Sequence, residues 1–170
     1  VPIWVAARSP ITFDYAVANN CNIMSWPLTK DFSEAELYKS QLDDAKAKHS
    51  DAFHGRFVMM RHTSVYTNET DRQTALNSVR RQLGQFGNLM MKKGDVHNGF
   101  ADEVSLKDLE GNLFVDESML EQNLAFGSPQ TVINHLKKYE DLDVDAFIYY
   151  ASMGLGLAEQ KRSLRLFIDE

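Results

Sequence analysis

Apolar and polar residues follow two different rhythms along this chain. Four short apolar runs, rich in β-branched and aromatic residues, predict strands over residues 3–7, 22–26, 56–65 and 146–151. Apolar residues at helical spacing predict helices over 13–18 and 33–48, after 68, over 129–139 and after 154. Strands that alternate with helices are typical of βα units and a parallel sheet. We therefore predict an α/β fold of four βα units, either half of a (β/α)8 barrel or a small open sheet.

Side chains that can cap a helix precede three of these helices: Ser33 with Glu36 in a capping box, Thr67 or Asn68, and Ser128 followed by Pro129. We expect Phe86 in the third helix to face the core. In the last helix we expect the same of Leu157, Leu164 and Phe167.

Residues from about 91 to 126 show only a weak period and are punctuated by glycines, among them Gly99 and Gly111. So long a stretch without a pattern is uncommon in a compact domain and is often a lid or a binding loop. The alternative is a surface insertion that carries short helices over 106–109 and 118–123. Both interpretations stay open on periodicity alone.

Composition narrows the class of protein. A chain of 170 residues is usually one domain, and its net charge of −6 argues against nucleic acid or an anionic membrane as a partner. The basic pairs Arg80-Arg81 and Lys92-Lys93 are expected to lie on a solvated face. No apolar run approaches the roughly 20 residues of a membrane span. The single cysteine, Cys21, allows no internal disulfide, which fits the cytoplasmic location that we predict.

Functional groups in parallel α/β folds gather at the C-terminal ends of the strands. After the first predicted strand, Arg8, Ser9 and Thr12 combine a planar set of donors with two hydroxyls at the start of a helix, which suits a phosphate. Trp26, at the end of the second strand, can pack against a planar ring. The alternatives are that Ser9 and Thr12 only cap the helix and that Trp26 belongs to the core.

Other kinds of site have less support. His62, near the end of the third strand, is either an acid–base group or a structural histidine. His49 and His54 lack a cysteine or carboxylate cluster, so we predict no metal site. The sequence contains no G-x-S-x-G elbow, P-loop or G-x-G-x-x-G motif, and its strand ends lack paired carboxylates.

Four segments resemble those of a known family and occur in the family's order: VAARSP at 5–10, IMSW at 23–26, FGSPQTVI at 126–133 and SLRLFIDE at 163–170. Together they resemble the bacterial luciferase-like flavin-dependent monooxygenases. The resemblance implies a (β/α)8 TIM barrel, and this chain is similar to its C-terminal half, strands five to eight. We expect residues 1–170 to form one partial-barrel domain that is truncated at the fifth strand.

The resemblance also implies a cofactor and a reaction. In the family, reduced FMN reacts with O2 at the C-terminal mouth of the barrel, and a small organic substrate such as an aldehyde is oxidised. By this resemblance Ser9 and Thr12 hold the FMN phosphate, and Ser25 and Trp26 lie beside the isoalloxazine ring. Arg8 is a further candidate for cofactor binding, although the luciferases carry an acidic residue there. The stretch 91–126 corresponds to a mobile loop that shields the site from water.

The family's catalytic histidine and its phosphate-binding arginines belong to the first half of the barrel. His62 does not match that histidine by position, so it is kept only as a candidate from its place in the strand. Because half of the phosphate site is expected to be missing, we expect the isolated chain to bind FMN weakly or not at all.

Three functions remain open. The first is the C-terminal part of a two-component flavin monooxygenase, which works with a flavin reductase and is active only in a complete barrel. The second is a non-catalytic half-barrel module that forms a homo-oligomer and so covers its open sheet edges. The third keeps the barrel but uses a deazaflavin for hydride transfer.

Overall fold

The computed structural model describes residues 1–27, 31–49, 53–91 and 95–170, so the pair Lys92-Lys93 lies outside the described residues. Two single-turn 3-10 helices are formed by Lys107–Leu109 and Leu113–Val115. The other elements in chain order are β1 (Trp4–Ala6), α1 (Pro10–Ala18), β2 (Asn22–Ser25), α2 (Ser33–His49), β3 (Phe57–Val65), α3 (Glu69–Met91), β4 (Val96–His97), β5 (Phe100–Ala101), α4 (Glu117–Asn123), β6 (Ala125–Gly127), α5 (Pro129–Asp141), β7 (Ala146–Tyr150) and α6 (Leu157–Asp169). The predicted alternation of strands and helices is confirmed.

The described residues form two compact units. Unit 1 comprises Val1–His62 and Val132–Tyr150, and unit 2 comprises Thr63–Thr131 and Ala151–Glu170. That residues 1–170 make up one partial-barrel domain stays a prediction.

Unit 1 is built on a parallel sheet with the order β1-β2-β3-β7. Val5 lies beside Ile23, and Ile23 beside Phe57, so these residues form one row across three strands. Because side chains alternate between the two faces of a strand, this row and the neighbouring row fall on opposite faces of the sheet.

One face of this sheet carries the core of unit 1. Ile23, Phe57 and Met59 are fully or almost fully buried, and they pack in one cluster with Phe13 of α1, with Leu42 and Tyr38 of α2 and with Tyr139 of α5. Phe13 lies 6.1 Å from Tyr38 and 6.2 Å from Phe57, measured between ring centroids. Burying each of these large side chains contributes about 1.5–3 kcal/mol.

The opposite face is less covered. Trp4 is 46% exposed, and Met24, Met60 and Ile148 are half-buried. A parallel sheet is normally covered on both faces, because its strands are apolar on both. Within the described part of unit 1, only the helix-side face meets this condition in full.

Unit 2 packs around α3. Leu76 and Val79 of α3 are buried against Leu120, Leu124 and Phe126. The end of β3 pairs with β6 in parallel, and β4 pairs with β5 as a short antiparallel hairpin. The stretch that looked irregular in sequence therefore contains a hairpin, two 3-10 turns and a short helix among its described residues, 95–126.

Two predictions about inward-facing residues are wrong. Phe86 is 41% exposed, and in α6 Leu157 and Leu164 are 67% and 41% exposed. The buried residue of α6 is instead Ser163, whose Oγ accepts a hydrogen bond from the backbone N–H of Val65 at 2.7 Å. The buried position of α6 therefore makes a polar contact, which hydrophobic spacing cannot reveal.

The helix caps follow the predictions in part. Asn68 Oδ1 accepts from the N–H of Asp71 at 2.9 Å, and Ser128 Oγ accepts from the N–H of Thr131 at 3.3 Å. The capping box at Ser33 is wrong, because α2 already begins at Ser33 and the carboxylate of Asp31 accepts from the Ser33 N–H and hydroxyl.

Among the described helices, none combines the length and the apolar character that crossing a bilayer requires.

The core of unit 1 can be tested with two leucines of one helix. Leu42 is 1% exposed and Leu37 is 53% exposed, and both belong to α2. We expect Leu42→Ala to lower the free energy of unfolding by about 2–5 kcal/mol, because it removes buried methyl groups and leaves a cavity. Leu37→Ala is the control and should change it by less than about 1 kcal/mol. Urea unfolding followed by circular dichroism measures both, and equal losses would contradict the assigned core.

Candidate functional site

The C-terminal ends of parallel strands lie at the same edge of a sheet. In unit 1 this edge carries four side chains of interest: Arg8 after β1, Trp26 after β2, His62 of β3 and Tyr150 at the end of β7. Three of them were predicted from the sequence, and Tyr150 was not.

Arg8 is held by two residues of α2. Its Nε donates to the Tyr38 hydroxyl at 2.9 Å and its Nη2 to Glu34 Oε1 at 3.1 Å, while Tyr38 donates to the same Glu34 oxygen at 2.7 Å. Glu34 is nearly buried, with 8% of its side chain exposed, whereas 52% of the Arg8 side chain is exposed. The guanidinium is therefore fixed along one edge and presents its other donors to solvent.

The pKa values of Arg8 and Tyr38 are consistent with these hydrogen bonds. The hydrogen bond to Tyr38, and after it the contact with Glu34, raises the pKa of Arg8. Burial raises the pKa of the Tyr38 hydroxyl, which therefore keeps its proton and can donate it to Glu34. Arg8 is therefore a cation at neutral pH.

Ser9 and Thr12 lie at the exposed start of α1. Their hydroxyl oxygens are 2.9 Å apart, and the backbone oxygen of Ser9 accepts from the N–H groups of Thr12 and Phe13. Ser9 occupies the N-cap position but makes no side-chain bond to the helix backbone. The alternative that these hydroxyls only cap the helix is therefore not supported for Ser9. Two hydroxyls beside a helix N-terminus, directly after a cation, can hold an anion.

Ser25 has a different environment from the other candidates. It is 1% exposed, and its hydroxyl donates to the backbone oxygen of Ala7 at 2.7 Å. This bond fixes the end of β2 to the residue that follows β1. Its contact with a cofactor stays a prediction.

Trp26, His62 and Tyr150 form one aromatic cluster. The ring centroids are 5.4 Å apart for Trp26 and His62, 5.4 Å for Trp26 and Tyr150, and 4.8 Å for His62 and Tyr150. His62 is fully buried. The indole nitrogen of Trp26 is also buried, and no residue in the described part of the chain accepts its hydrogen bond.

Arg61 holds the segment that follows Trp26. It is buried, and its Nη1 donates to the backbone oxygen of Pro27 at 2.6 Å. Burial lowers the pKa of this guanidinium, because the charged form loses its hydration. Arg61 is thus a positioning residue for the chain beside Trp26, and a lone arginine in an apolar strand was the sequence signal for it.

In unit 2, an ionic cluster ties α4 to α3. Arg72 of α3 binds Glu121 of α4 with two hydrogen bonds of 2.8 and 2.9 Å, and the Tyr66 hydroxyl donates to Glu121 at 2.7 Å. Arg80 donates to Glu117 at 3.3 Å. We call these five residues the α3–α4 latch. The latch fastens part of the stretch 91–126, for which a lid and a surface insertion were both open interpretations.

Gly84 brings another part of this stretch close to α3. A Cβ at Gly84 would lie 2.8 Å from the side chain of Leu109 and 3.2 Å from that of Val104. Such contacts are too short for any larger residue without movement of the neighbours. The described segment therefore packs closely on α3, and its role as a mobile lid stays a prediction.

One group of exposed side chains could offer ligands to a metal. Asp95, His97 and Asp102 bring their ligand atoms within 4.8 Å of one another, and His97 Nε2 lies 3.6 Å from Asp102 Oδ1. Exposed acidic groups of this kind commonly occur without an ion. His49 instead contacts Asp14 at 3.1 Å. The expectation of no metal site stays a prediction.

Sequence reasoning missed four residues of unit 1: Glu34, Tyr38, Arg61 and Tyr150. Tyr150 could have been found, because it ends an apolar run, but the predicted strand ended one residue later, at residue 151. The pairing of Arg8 with Glu34 joins residues 26 positions apart, for which the sequence carries no local signal.

Parallel strands with polar and aromatic side chains at their C-terminal ends define a class: α/β proteins that bind a ligand at that edge. A family model described as luciferase-like monooxygenase matches residues 1–146. The chain belongs to this family, as its sequence motifs predicted.

One curated relative is similar to this chain over nearly its whole length. The oxygenase component of a flavin-dependent trigonelline monooxygenase from Acinetobacter baylyi is 30% identical over 169 residues. The match covers 99% of this chain and 47% of the relative, so the chain spans about half of the relative's length.

Solved structures support the fold. Monooxygenase RslO1 from Streptomyces bottropensis matches with a TM-score of 0.61 and 16% identity, over 99% of this chain and 46% of that one. An F420-dependent secondary alcohol dehydrogenase, in complex with an F420-acetone adduct, matches with a TM-score of 0.59 and 13% identity, over 98% and 49%. At these identities the likeness concerns the fold alone.

The α3–α4 latch predicts a pH dependence. Hydrogen bonds from Arg72, and to a lesser degree from Tyr66, lower the pKa of Glu121 in the folded protein. Glu121 therefore contributes stability above the pKa of about 4.3 that it has in the unfolded chain, and this contribution is lost as the pH falls through the lower folded value. We expect Glu121→Gln to cost about 1 kcal/mol at pH 7, since the pair is partly exposed, and clearly less at pH 3.

Urea unfolding at pH 7, 5 and 3 measures this difference. The control is Glu110→Gln, which changes an exposed carboxylate and should have little effect at any pH. A Glu121→Gln cost that is independent of pH would show that the latch acts through packing and not through charge.

Proposed function

We propose that the chain is the C-terminal half of a (β/α)8 flavin-dependent monooxygenase, which uses reduced FMN and O2 to oxidise a small organic molecule. The observation that carries this proposal is the edge of unit 1, where an exposed cation and two hydroxyls at the start of α1 share the strand ends with an aromatic cluster. An anion-binding corner and a planar apolar surface are what a flavin mononucleotide requires of its site.

The half-barrel part of the proposal is supported by the uneven cover of the sheet. The face opposite the helices leaves Trp4 exposed and Met24, Met60 and Ile148 half-buried. In the part of unit 1 that the structure describes, β1 and β7 each pair with only one strand. Four further strands would pair with both edges and enclose this face as the interior of a barrel.

The residues present fit a flavin in two respects. Arg8 keeps donors free on its exposed side, and the half-buried ring of Trp26 lies in an aromatic cluster with His62 and Tyr150. In the proposed site, Arg8, Ser9 and Thr12 bind the phosphate, and Trp26 packs against the ring system. When it is bound, the reduced flavin supplies the electrons that activate O2.

His62 has a narrower role in this proposal. Its ring is fully buried between Trp26 and Tyr150, so it acts on a proton only if the substrate reaches this cluster. A structural role is the alternative for His62. The segment 95–126, fastened by the α3–α4 latch, would exclude water from the mouth of the barrel.

The relative's name bears on the partner and on the substrate. That protein is the oxygenase component of a flavin-dependent enzyme that acts on trigonelline. We propose by analogy that a separate flavin reductase delivers reduced FMN to this chain in its complete barrel. The substrate is proposed only as a small organic molecule, for which trigonelline and an aldehyde are the first compounds to test.

Two other functions have a specific observation behind them. A deazaflavin with hydride transfer is the second candidate, because an F420-dependent dehydrogenase shares this fold. The half-covered sheet face favours a homo-oligomer in which two copies cover each other. Light scattering after size exclusion tests the oligomer, and F420 takes the place of FMN in the binding assay below.

The phosphate corner can be tested by comparing FMN with riboflavin, which has the same ring but no phosphate. We expect weak binding of the isolated chain, with FMN preferred over riboflavin by about tenfold, the value of one charge-assisted hydrogen bond of roughly 1.5 kcal/mol. The double variant Ser9→Ala and Thr12→Val should remove most of this preference. Flavin fluorescence up to millimolar concentration measures the affinities.

The chain offers a matched control for this experiment. Ser128-Pro129-Gln130-Thr131 repeats the Ser9-Pro10-Ile11-Thr12 pattern, and its two hydroxyls lie 3.0 Å apart, against 2.9 Å for Ser9 and Thr12. Ser128→Ala with Thr131→Val should leave the preference for FMN unchanged. Equal binding of FMN and riboflavin to the unmodified chain, or a loss caused by the control pair, would contradict the proposed phosphate corner.

A further inference from the structure

A groove of unit 2 lies between one face of α3 and the β4–β5 hairpin, and we call it the α3 groove. Its residues on α3 include Ser78, Gln82, Gln85 and Leu89, which recur at intervals of three and four positions and therefore share one side of the helix. Phe100 of β5 lines the other side. The volume of about 710 Å³ falls within the range of about 300–1,000 Å³ that is typical of ligand sites.

Side-chain hydrogen bonds from α3 hold the walls of the α3 groove. Gln85 Nε2 donates to the backbone oxygen of Asp102 at 3.1 Å, and Gln85 Oε1 accepts from the N–H of Val104 at 3.0 Å. Gln82 Nε2 donates to the backbone oxygen of Ser152 at 3.4 Å, directly before the two residues that form a third wall. Two amides of one helix therefore fix separate segments around the groove, which is preformed.

Large apolar side chains in the α3 groove are exposed to solvent. Phe86 is 41% exposed, Leu89 is 64% exposed and Phe100 is 79% exposed. A contiguous exposed apolar surface commonly marks a place where a ligand or a partner binds. Phe86, which apolar spacing assigned to the core, lines this groove instead. The groove therefore offers two phenyl rings and a leucine to an apolar ligand.

The α3 groove also carries a cation that the chain leaves unpaired. Arg80 contacts Glu117 at 3.3 Å, whereas Arg81, which lines the groove, has no ion pair or hydrogen bond within the described ranges of the chain. A guanidinium presents its donors in a planar fork that matches a carboxylate. Glu103 lines the groove as well, and its negative charge disfavours a doubly charged ligand such as a phosphate. The charges thus favour an anion with a single charge.

We propose that the α3 groove binds a small amphipathic carboxylate. Its apolar body packs against Phe86, Leu89 and Phe100, and its carboxylate pairs with Arg81. The inference goes beyond the proposed function and does not rest on the flavin site, because all residues that line the groove belong to unit 2.

Methyl NMR of the leucine-labelled chain tests the inference with 3-phenylpropionate as the probe. Leu89 lines the groove, and Leu113, which is 80% exposed, lies outside it and is the control. Leu89→Met and Leu113→Met assign the two signals. We expect the Leu89 methyl signals to shift with a dissociation constant of about 1 mM and the Leu113 signals to stay in place.

The carboxylate is tested by comparing the probe with 3-phenylpropionamide, which has nearly the same shape but no charge. We expect the carboxylate to bind about tenfold more tightly than the amide, the value of one charge-assisted hydrogen bond. Arg81→Gln should remove this preference. Arg165→Gln, which changes an exposed arginine of α6 outside the groove, should leave it unchanged.

The apolar wall is tested with two phenylalanines of similar exposure. Phe100 is 79% exposed in the groove, and Phe114 is 77% exposed outside it, so neither substitution empties a core. We expect Phe100→Ser to weaken the carboxylate and the amide alike, by about three- to tenfold, and to preserve the preference for the carboxylate. Phe114→Ser should change neither affinity.

The possible outcomes separate this inference from the proposed function. Equal binding of the carboxylate and the amide, or a preference that survives Arg81→Gln, would overturn the role of Arg81 and with it the inference. Leu89 signals that stay in place at millimolar 3-phenylpropionate would overturn the site itself. Binding of 3-phenylpropionate with the expected dependence on Arg81 and Phe100 supports the inference even if FMN does not bind, in which case the proposed function alone fails.

Discussion

A parallel sheet must be covered on both faces, and the rest of this structure follows from how unit 1 meets that constraint. On one face, α1 and α2 bury Phe13, Tyr38 and Leu42 against Ile23 and Phe57. This layer fixes the strands and so fixes what their C-terminal ends present. The other face is only partly covered by the described residues of unit 1, and it carries the contact of Trp26, His62 and Tyr150.

The helix-side core also orients the groups that face solvent. Tyr38 belongs to that core, yet its hydroxyl accepts from Arg8 and donates to Glu34. Arg61 is buried and holds Pro27, next to Trp26. Arg8 and Trp26 of the proposed site are therefore positioned by buried side chains, Tyr38 and Arg61, that have no ligand contact in the proposal. Such support is what keeps a binding site in one geometry.

The sequence predicted the fold better than it predicted the site. Strand and helix positions came from apolar spacing, which reports burial directly, and the luciferase-like family is confirmed by the match over residues 1–146. Long-range polar contacts could not be predicted, because Arg8 with Glu34 or Val65 with Ser163 are joined only by the folded chain. In α6, Leu157 and Leu164 were wrongly placed inside, and the buried residue is a serine, which apolar spacing does not single out.

The central claim is that a flavin binds at the strand ends of unit 1, with its phosphate at the start of α1 and its ring against the aromatic cluster. A crystal structure of the chain soaked with FMN tests this most directly. We predict density for the phosphate within hydrogen-bond distance of the Ser9 and Thr12 hydroxyls, and density for the ring in contact with Trp26. A phosphate bound instead at Ser128 and Thr131, or a ring that does not contact Trp26, would contradict the claim.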